Sequence, residues 1–151
     1  MAKPATEITQ SVTDLLQSEF SDTDVELQYI PIEYKNRLPA RKVTVAWNNK
    51  ESHEVDRSNE ALFYSVAIGI YQPMENTTDI AEQKACIDFV EEIQDALSLK
   101  SNRTLTLATL GEAKLQLPFT TDQLVDPVEV KSTSNFFSVI SFKYRYFKGR
   151  A

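Results

Sequence analysis

The chain has 151 residues, 42% hydrophobic and 25% charged, enough for one ordinary core without a disulfide or structural metal. Its charge of −6, from 16 Lys and Arg against 22 Asp and Glu, argues against tight sequence-independent binding to nucleic acid. One cysteine (Cys86), one histidine (His53) and three scattered glycines (Gly69, Gly111 and Gly149) exclude internal disulfides, multi-cysteine zinc sites, two-histidine metal motifs and glycine-rich phosphate loops.

The first predicted element is a helix over 5–19. Ile8, Val12, Leu15, Leu16 and Phe20 recur at helical spacing, while Thr6, Thr9, Gln10, Thr13, Asp14 and Gln17 take the other face. Pro4 suits its first turn, where a missing N–H costs nothing. Polar residues 21–24 end it. Strand signals follow. Val25, Leu27 and Tyr29 alternate with polar residues, and Ile30, Ile32 and Tyr34 continue in the opposite phase, which predicts a bulge or bend beside Pro31. Residues 35–41 read as a turn into Val43, Val45 and Trp47, and the two runs are expected to form a hairpin.

Residues 48–60 are polar and long for a connection, so they read as a functional loop or the tip of an extended hairpin. Leu62, Tyr64, Val66, Ile68 and Ile70 then make the clearest strand. Phe63, Ser65, Ala67, Gly69 and Tyr71 are its other face, and both faces are expected to be covered, as in a central strand. A second helix is predicted over 79–97, capped by Asp79 with Glu82 as its capping-box partner. Its buried stripe is Cys86, Phe89, Val90, Ile93 and Leu97, and its solvated face is Glu82, Glu91, Glu92 and Asp95. Leu105 and Leu107 start a strand that turns at Gly111-Glu112 and returns through Leu115, Leu117 and Phe119, with 120–127 as loop. The last strand, 136–147, puts Ile140, Phe142, Tyr144 and Tyr146 on one face and Val139, Ser141, Lys143 and Arg145 on the other. The order predicts a single α+β domain over 1–151, with a mixed or mostly antiparallel sheet and two main helices packed on one face.

Few residues carry chemistry. His53 reads as an exposed loop histidine, since a general base would need a nucleophile and an orienting acid beside it. Cys86 reads as an inert core residue beside acidic Glu82 and Asp88. The last strand is richer, because its aromatics occupy both faces. Phe137 and Phe147, flanking Lys143 and Arg145, need either a cover within the monomer or a partner, and aromatics with Arg suit a protein surface. The expected interface is Phe63, Tyr71, Phe137, Lys143, Arg145 and Phe147, with Asn48, Lys50, His53 and Arg57 of the polar segment as the complementary half. No cofactor and no metal are expected. Residues 1–7 lack the apolar run of a signal peptide, and no stretch approaches the ~20 apolar residues of a membrane helix. The expected setting is reducing cytoplasm or a particle assembled there.

This layout resembles the tail-terminator, or tail-completion, proteins of tailed bacteriophages. The resemblance runs from the helix near Ile8–Phe20 and the expected hairpin of 25–47, through the strand 63–71 and the helix 79–97, to the aromatic strand 136–147. It implies a small non-enzymatic virion subunit that forms a homo-oligomeric ring, typically a hexamer. Such a ring caps the tail tube protein, stops its polymerisation and offers a docking surface to the head-side connector or neck protein, while DNA passes through the lumen without specific binding. A different neck or head-completion subunit is the neighbouring alternative. A small α+β ligand-binding domain or enzyme is the alternative from another class, and it requires a pocket with converging polar groups.

Overall fold

The computed structural model describes residues 3–30, 34–54, 59–123, 130–131 and 133–149, with only the backbone described at 51–54, 59–60, 117–123 and 148–149. Helix α1 spans Pro4–Glu19 and α2 spans Ile80–Ser98. The strands are β1 (Asp24–Tyr29), β2 (Lys42–Glu54), β3 (Asn59–Pro73), β4 (Thr104–Thr106), β5 (Glu112–Gln123) and β6 (Asn135–Gly149). They form one six-stranded sheet in the order β1-β2-β3-β6-β5-β4. The β1/β2 pair is parallel and the others are antiparallel, so the sheet is mixed and the fold is α+β.

The core lies between the helices and one face of this sheet. Ile8, Val12 and Leu16 of α1 and Cys86, Phe89, Val90, Ile93 and Leu97 of α2 join one buried cluster with Val66, Ile68 and Ile70 of β3 and Ile140, Phe142 and Tyr144 of β6. Each such side chain contributes roughly 1.5–3 kcal/mol when fully buried. The helices meet edge to face through Phe20 and Phe89, whose ring centroids are 5.6 Å apart. Arg41 covers the Phe89 ring at 3.8 Å, and its Nε–H donates to Gln72 Oε1.

Both helix caps follow from sequence, with two differences. Pro4 opens α1 as expected, and the Asp79 carboxylate accepts from the Ala81 N–H at 2.9 Å to cap α2. Glu82, however, does not close a box onto Asp79. Its carboxylate accepts from the backbone N–H groups of Glu75 and Asn76, fastening the β3–α2 connection instead. On α1, Thr9 and Thr13 belong to the buried side, not the polar one. Their hydroxyls donate to the carbonyls four residues earlier, Ala5 and Thr9, which satisfies them without water.

Two further expectations are corrected, and one left open is decided. The first two strands do not form a hairpin: they run parallel, in register from Asp24↔Lys42 to Tyr29↔Ala46. Tyr29 has φ +53° and turns the chain out of the sheet, with a register shift between Leu27 and Tyr29. Residues 30–41 then return to the start of β2, close to the dozen or more residues a parallel crossover needs. Ile32 of the expected second phase lies outside the described residues. Of the two readings of the polar segment 48–60, its described residues follow the extended hairpin and not the loop. β2 continues to Glu54 and β3 begins at Asn59, with His53 opposite Ala61 and Glu54 opposite Glu60. Finally, β5 continues through Gln123 where loop was expected from 120.

Candidate assembly interface

Successive strand residues alternate between faces, so the register fixes what the outer face of the sheet presents. Rows run across it. Lys42, Tyr71 and Phe137 form the first, and Thr44, Gly69 and Val139 the next. Asn49, Ser65, Lys143 and Gln116 form a later row, and Phe63, Arg145 and Lys114 the one beyond. Phe147 stands opposite Ala61. Leu62, Tyr64, Val66, Ile68 and Ile70 of β3 and Phe136, Ser138, Ile140, Phe142 and Tyr144 of β6 are buried, whereas Phe63, Tyr71, Phe137, Lys143 and Arg145 are half-exposed and Phe147 is 49% exposed. The expectation that β3 is covered on both faces is therefore wrong, since the helices shield one side only.

The face has an aromatic end. Tyr71 stacks on Phe137 at 4.8 Å, and Tyr34 meets Tyr71 edge to face at 4.9 Å. Gly69 makes this possible. A Cβ there would lie 2.6 Å from Thr44 Oγ1 and 3.1 Å from the Tyr71 ring, so only glycine lets both side chains lie across the strand. The Gln28 side-chain amide N–H donates to the Tyr34 hydroxyl at 2.7 Å. Lys42 lies 5.5 Å from the Tyr34 ring and bridges to Glu26 and, at 3.4 Å, to Asp24. Its bond to Glu26 holds the ammonium well above its ordinary range and Glu26 below the usual carboxylate range.

The other end is cationic. The Arg145 guanidinium sits 4.7 Å over the Phe147 ring. Lys114 stands directly across from Arg145, a like-charge pairing that disfavours the sheet, and among the described residues neither meets a carboxylate. Arg145 Nε–H is buried and, among the described residues, meets no acceptor. Small residues, Ser65, Ala67, Gly69 and Ser141, keep the middle of the face flat.

The structure thus brings six of the expected residues together: Phe63, Tyr71, Phe137, Lys143, Arg145 and Phe147. The polar half is divided. Asn48 is exposed at the register shift between Trp47 and Asn49, and Lys50 lies on the opposite side of β2, its ammonium 5.8 Å from the Tyr64 ring. His53 is placed by its backbone alone, and Arg57 lies outside the described residues. Sequence reasoning missed Lys114 and Tyr34. Cross-strand pairing, which a single sequence does not display, is what puts Lys114 beside Arg145. Also missed was an edge: among the described residues β1 pairs no further than Ala46, so 47–54 of β2 lie on the sheet's rim, where Trp47 is 42% exposed.

Other features are quieter. Burial pushes the Cys86 thiol up to about 11, out of the reactive range. A groove of about 390 Å³ beside α2 is walled by Met74, Ile87, Val130 and Phe136. A second, of about 300 Å³, lies between α1, Tyr29 and Thr106. Among the described residues no group of three or more His, Cys, Asp and Glu is placed to hold a metal ion, and no helix is long and apolar enough to cross a membrane.

No family model and no curated protein matches the sequence. Solved structures do match. One chain superposes with a TM-score of 0.49 at 14% identity, covering 93% of this chain and 90% of that one. A chain from the virion of a native gene transfer agent particle superposes with a TM-score of 0.54 at 13% identity, covering 97% of this chain and 100% of that one. The protein therefore shares its fold, over nearly its whole length, with a chain of a gene transfer agent virion.

Proposed function

We propose that this chain is a structural subunit of a phage-like virion, and specifically a tail terminator. In this reading it assembles as a ring, a hexamer by resemblance, on the last ring of the tail tube. Occupying the growing face blocks the next tube subunit, and the opposite face receives the head-side connector. DNA passes through the lumen without specific contacts, and the whole is built in the host cytoplasm. The mechanism is steric, with no turnover and no cofactor.

The carrying observation is the whole-length likeness to a chain of a gene transfer agent virion. The open sheet face supports it: half-exposed Tyr71, Phe137 and Phe63 with Arg145 have the composition of a protein interface. The rim at 47–54 of β2 supports it too, as a strand edge offers main-chain groups to a neighbour.

The test is tube capping. Purified protein is added to polymerising tail tube subunits, and tube length and ends are followed by electron microscopy. Growth that halts, with extra density on one end of every tube, is the expected result. Tubes that keep growing with bare ends would overturn the terminator reading. Binding to tail-free heads, with no effect on tubes, would replace it with a neck or head-completion role.

A further inference from the structure

We infer that the cationic end of the open sheet face docks onto the outer face of α2 of a second copy, in a head-to-tail contact. The inference deepens the ring reading and rests on it for closure, but not for the contact itself.

The first observation is a division of charge between layers. α1 holds three acids and α2 five, against Lys84 alone, so the helical layer carries −7 while the whole chain carries −6. The rest of the chain is therefore slightly positive, and Lys114, Lys143 and Arg145 concentrate cations on the open face of the sheet. The two layers are back to back, so the acidic and basic surfaces lie on opposite sides of the subunit. A surface that fits its own reverse side makes a heterologous contact, which closes into a ring or extends as a filament.

The second observation is spacing. Along β6, Lys143, Arg145 and Phe147 are alternate residues on one face, about 6.6 Å apart. Along the outer face of α2, Asp95, Glu91 and Ile87 are one turn apart, about 6 Å. Laid antiparallel, Lys143 meets Asp95, Arg145 meets Glu91 and Phe147 meets Ile87. Asp95 and Glu91 are exposed and Ile87 is 39% exposed; about two turns further on, Ile80 is 78% exposed. Glu91 sits where it can face the cross-strand pair Arg145 and Lys114, which has no carboxylate of its own among the described residues. A carboxylate from another subunit relieves that like-charge pairing.

A charge-swap experiment tests this. Variant one carries Lys143→Glu and Arg145→Glu, and variant two carries Glu91→Lys and Asp95→Lys. Native mass is measured by light scattering over a concentration series, at low and high salt, with circular dichroism melts to establish folding. Wild type should associate, more weakly at high salt. Each variant alone should need at least ~tenfold more protein to associate. An equimolar mixture should recover association, since each altered face then meets its opposite charge and each native face meets a native one. Recovery on mixing also shows that both variants are folded. Three results overturn the inference: a wild type that stays monomeric throughout, variants that associate as wild type does, or folded variants that fail to rescue each other. None of these touches tube capping, which is scored separately and decides the terminator reading.

Discussion

Gly69 offers the sharpest test of how the open face is built. In an ordinary strand interior, replacing glycine with alanine would help, because glycine in such a position costs roughly 0.5–1 kcal/mol relative to Ala. Here the new Cβ would arrive 2.6 Å from Thr44 Oγ1 and 3.1 Å from the Tyr71 ring. Thr44 is buried at 5% exposure and flanked in β2 by fully packed Val43 and Val45, so it has little room to retreat. Overpacking of this kind costs about 1–3 kcal/mol. For a chain near this length each kcal/mol shifts the melting temperature by about 2–4 °C, so Gly69→Ala should melt about 2–12 °C below wild type. The second arm removes the obstacle. In Thr44→Ala/Gly69→Ala the 2.6 Å contact no longer exists, and a double-mutant cycle from thermal or urea melts should return a favourable coupling of about 1–2 kcal/mol. A Gly69→Ala variant as stable as wild type, or a coupling near zero, would refute the claim that this glycine exists for close approach. Intrinsic tyrosine fluorescence of the same variants should change as well, because Tyr71 must tilt off Phe137.

Three other outcomes are expected. Glu7 is held below the usual carboxylate range first by the Thr109 hydroxyl, then by the N–H groups of Thr109 and Leu110; its stabilising effect is present above the ordinary carboxylate pKa and lost as pH falls through the depressed one. Melting temperature should therefore drop as pH falls below the ordinary carboxylate range, and the drop should be shallower in Glu7→Gln. The Tyr144 hydroxyl is fully buried and has no partner among the described residues, and burial drives its pKa strongly upward, so Tyr144→Phe should leave the urea midpoint unchanged or raise it by the equivalent of up to about 1 kcal/mol. Asn135, 2% exposed, ties 36–38 to β6 by donating to the Asn36 carbonyl and accepting from the Leu38 N–H, both at 2.9 Å. Asn135→Ala should cost about 2–3 kcal/mol and speed hydrogen exchange at Leu38.

Where a segment packs against the core, the sequence announces it. Ile8, Val12 and Leu16 of α1, the stripe from Cys86 to Leu97, Leu62 to Ile70 at alternate positions of β3, and Ile140, Phe142 and Tyr144 of β6 are legible by period and buried as read, whereas Leu15 and Tyr146, read on the same faces, are only half-buried. Asp79 caps α2 as read. Failures cluster where the signal is physically absent. Alternation in 25–29 and 43–47 says that both are strands but nothing about their relative direction, so the parallel pair was invisible. Residues 48–54 pair as strand with polar residues throughout, so they carry no apolar period and read equally as a loop or a hairpin tip. Thr9 and Thr13 are buried because their hydroxyls bond within the helix, which hydropathy does not register. Of the interface, the β3 and β6 residues were legible as unexplained aromatics and cations. Lys114 was not, because its significance comes from facing Arg145 on another strand.

The position of β6 in the sheet has a consequence for how the chain is made. β6 lies between β3 and β5 yet follows every other described element in the sequence, and its register with β3 runs the full length from Asn59↔Gly149 to Pro73↔Asn135. During synthesis, β1, β2 and β3 leave the ribosome with the inner edge of β3 unsatisfied, and α2 waits without the half of the sheet that holds Ile140 and Phe142. Contacts this distant along the chain form slowly, because loop closure comes before the contacts that reward it. The nascent chain must therefore keep a long apolar strand edge out of reach of other nascent copies until β6 is released, which places its main aggregation hazard in translation and not in the finished subunit.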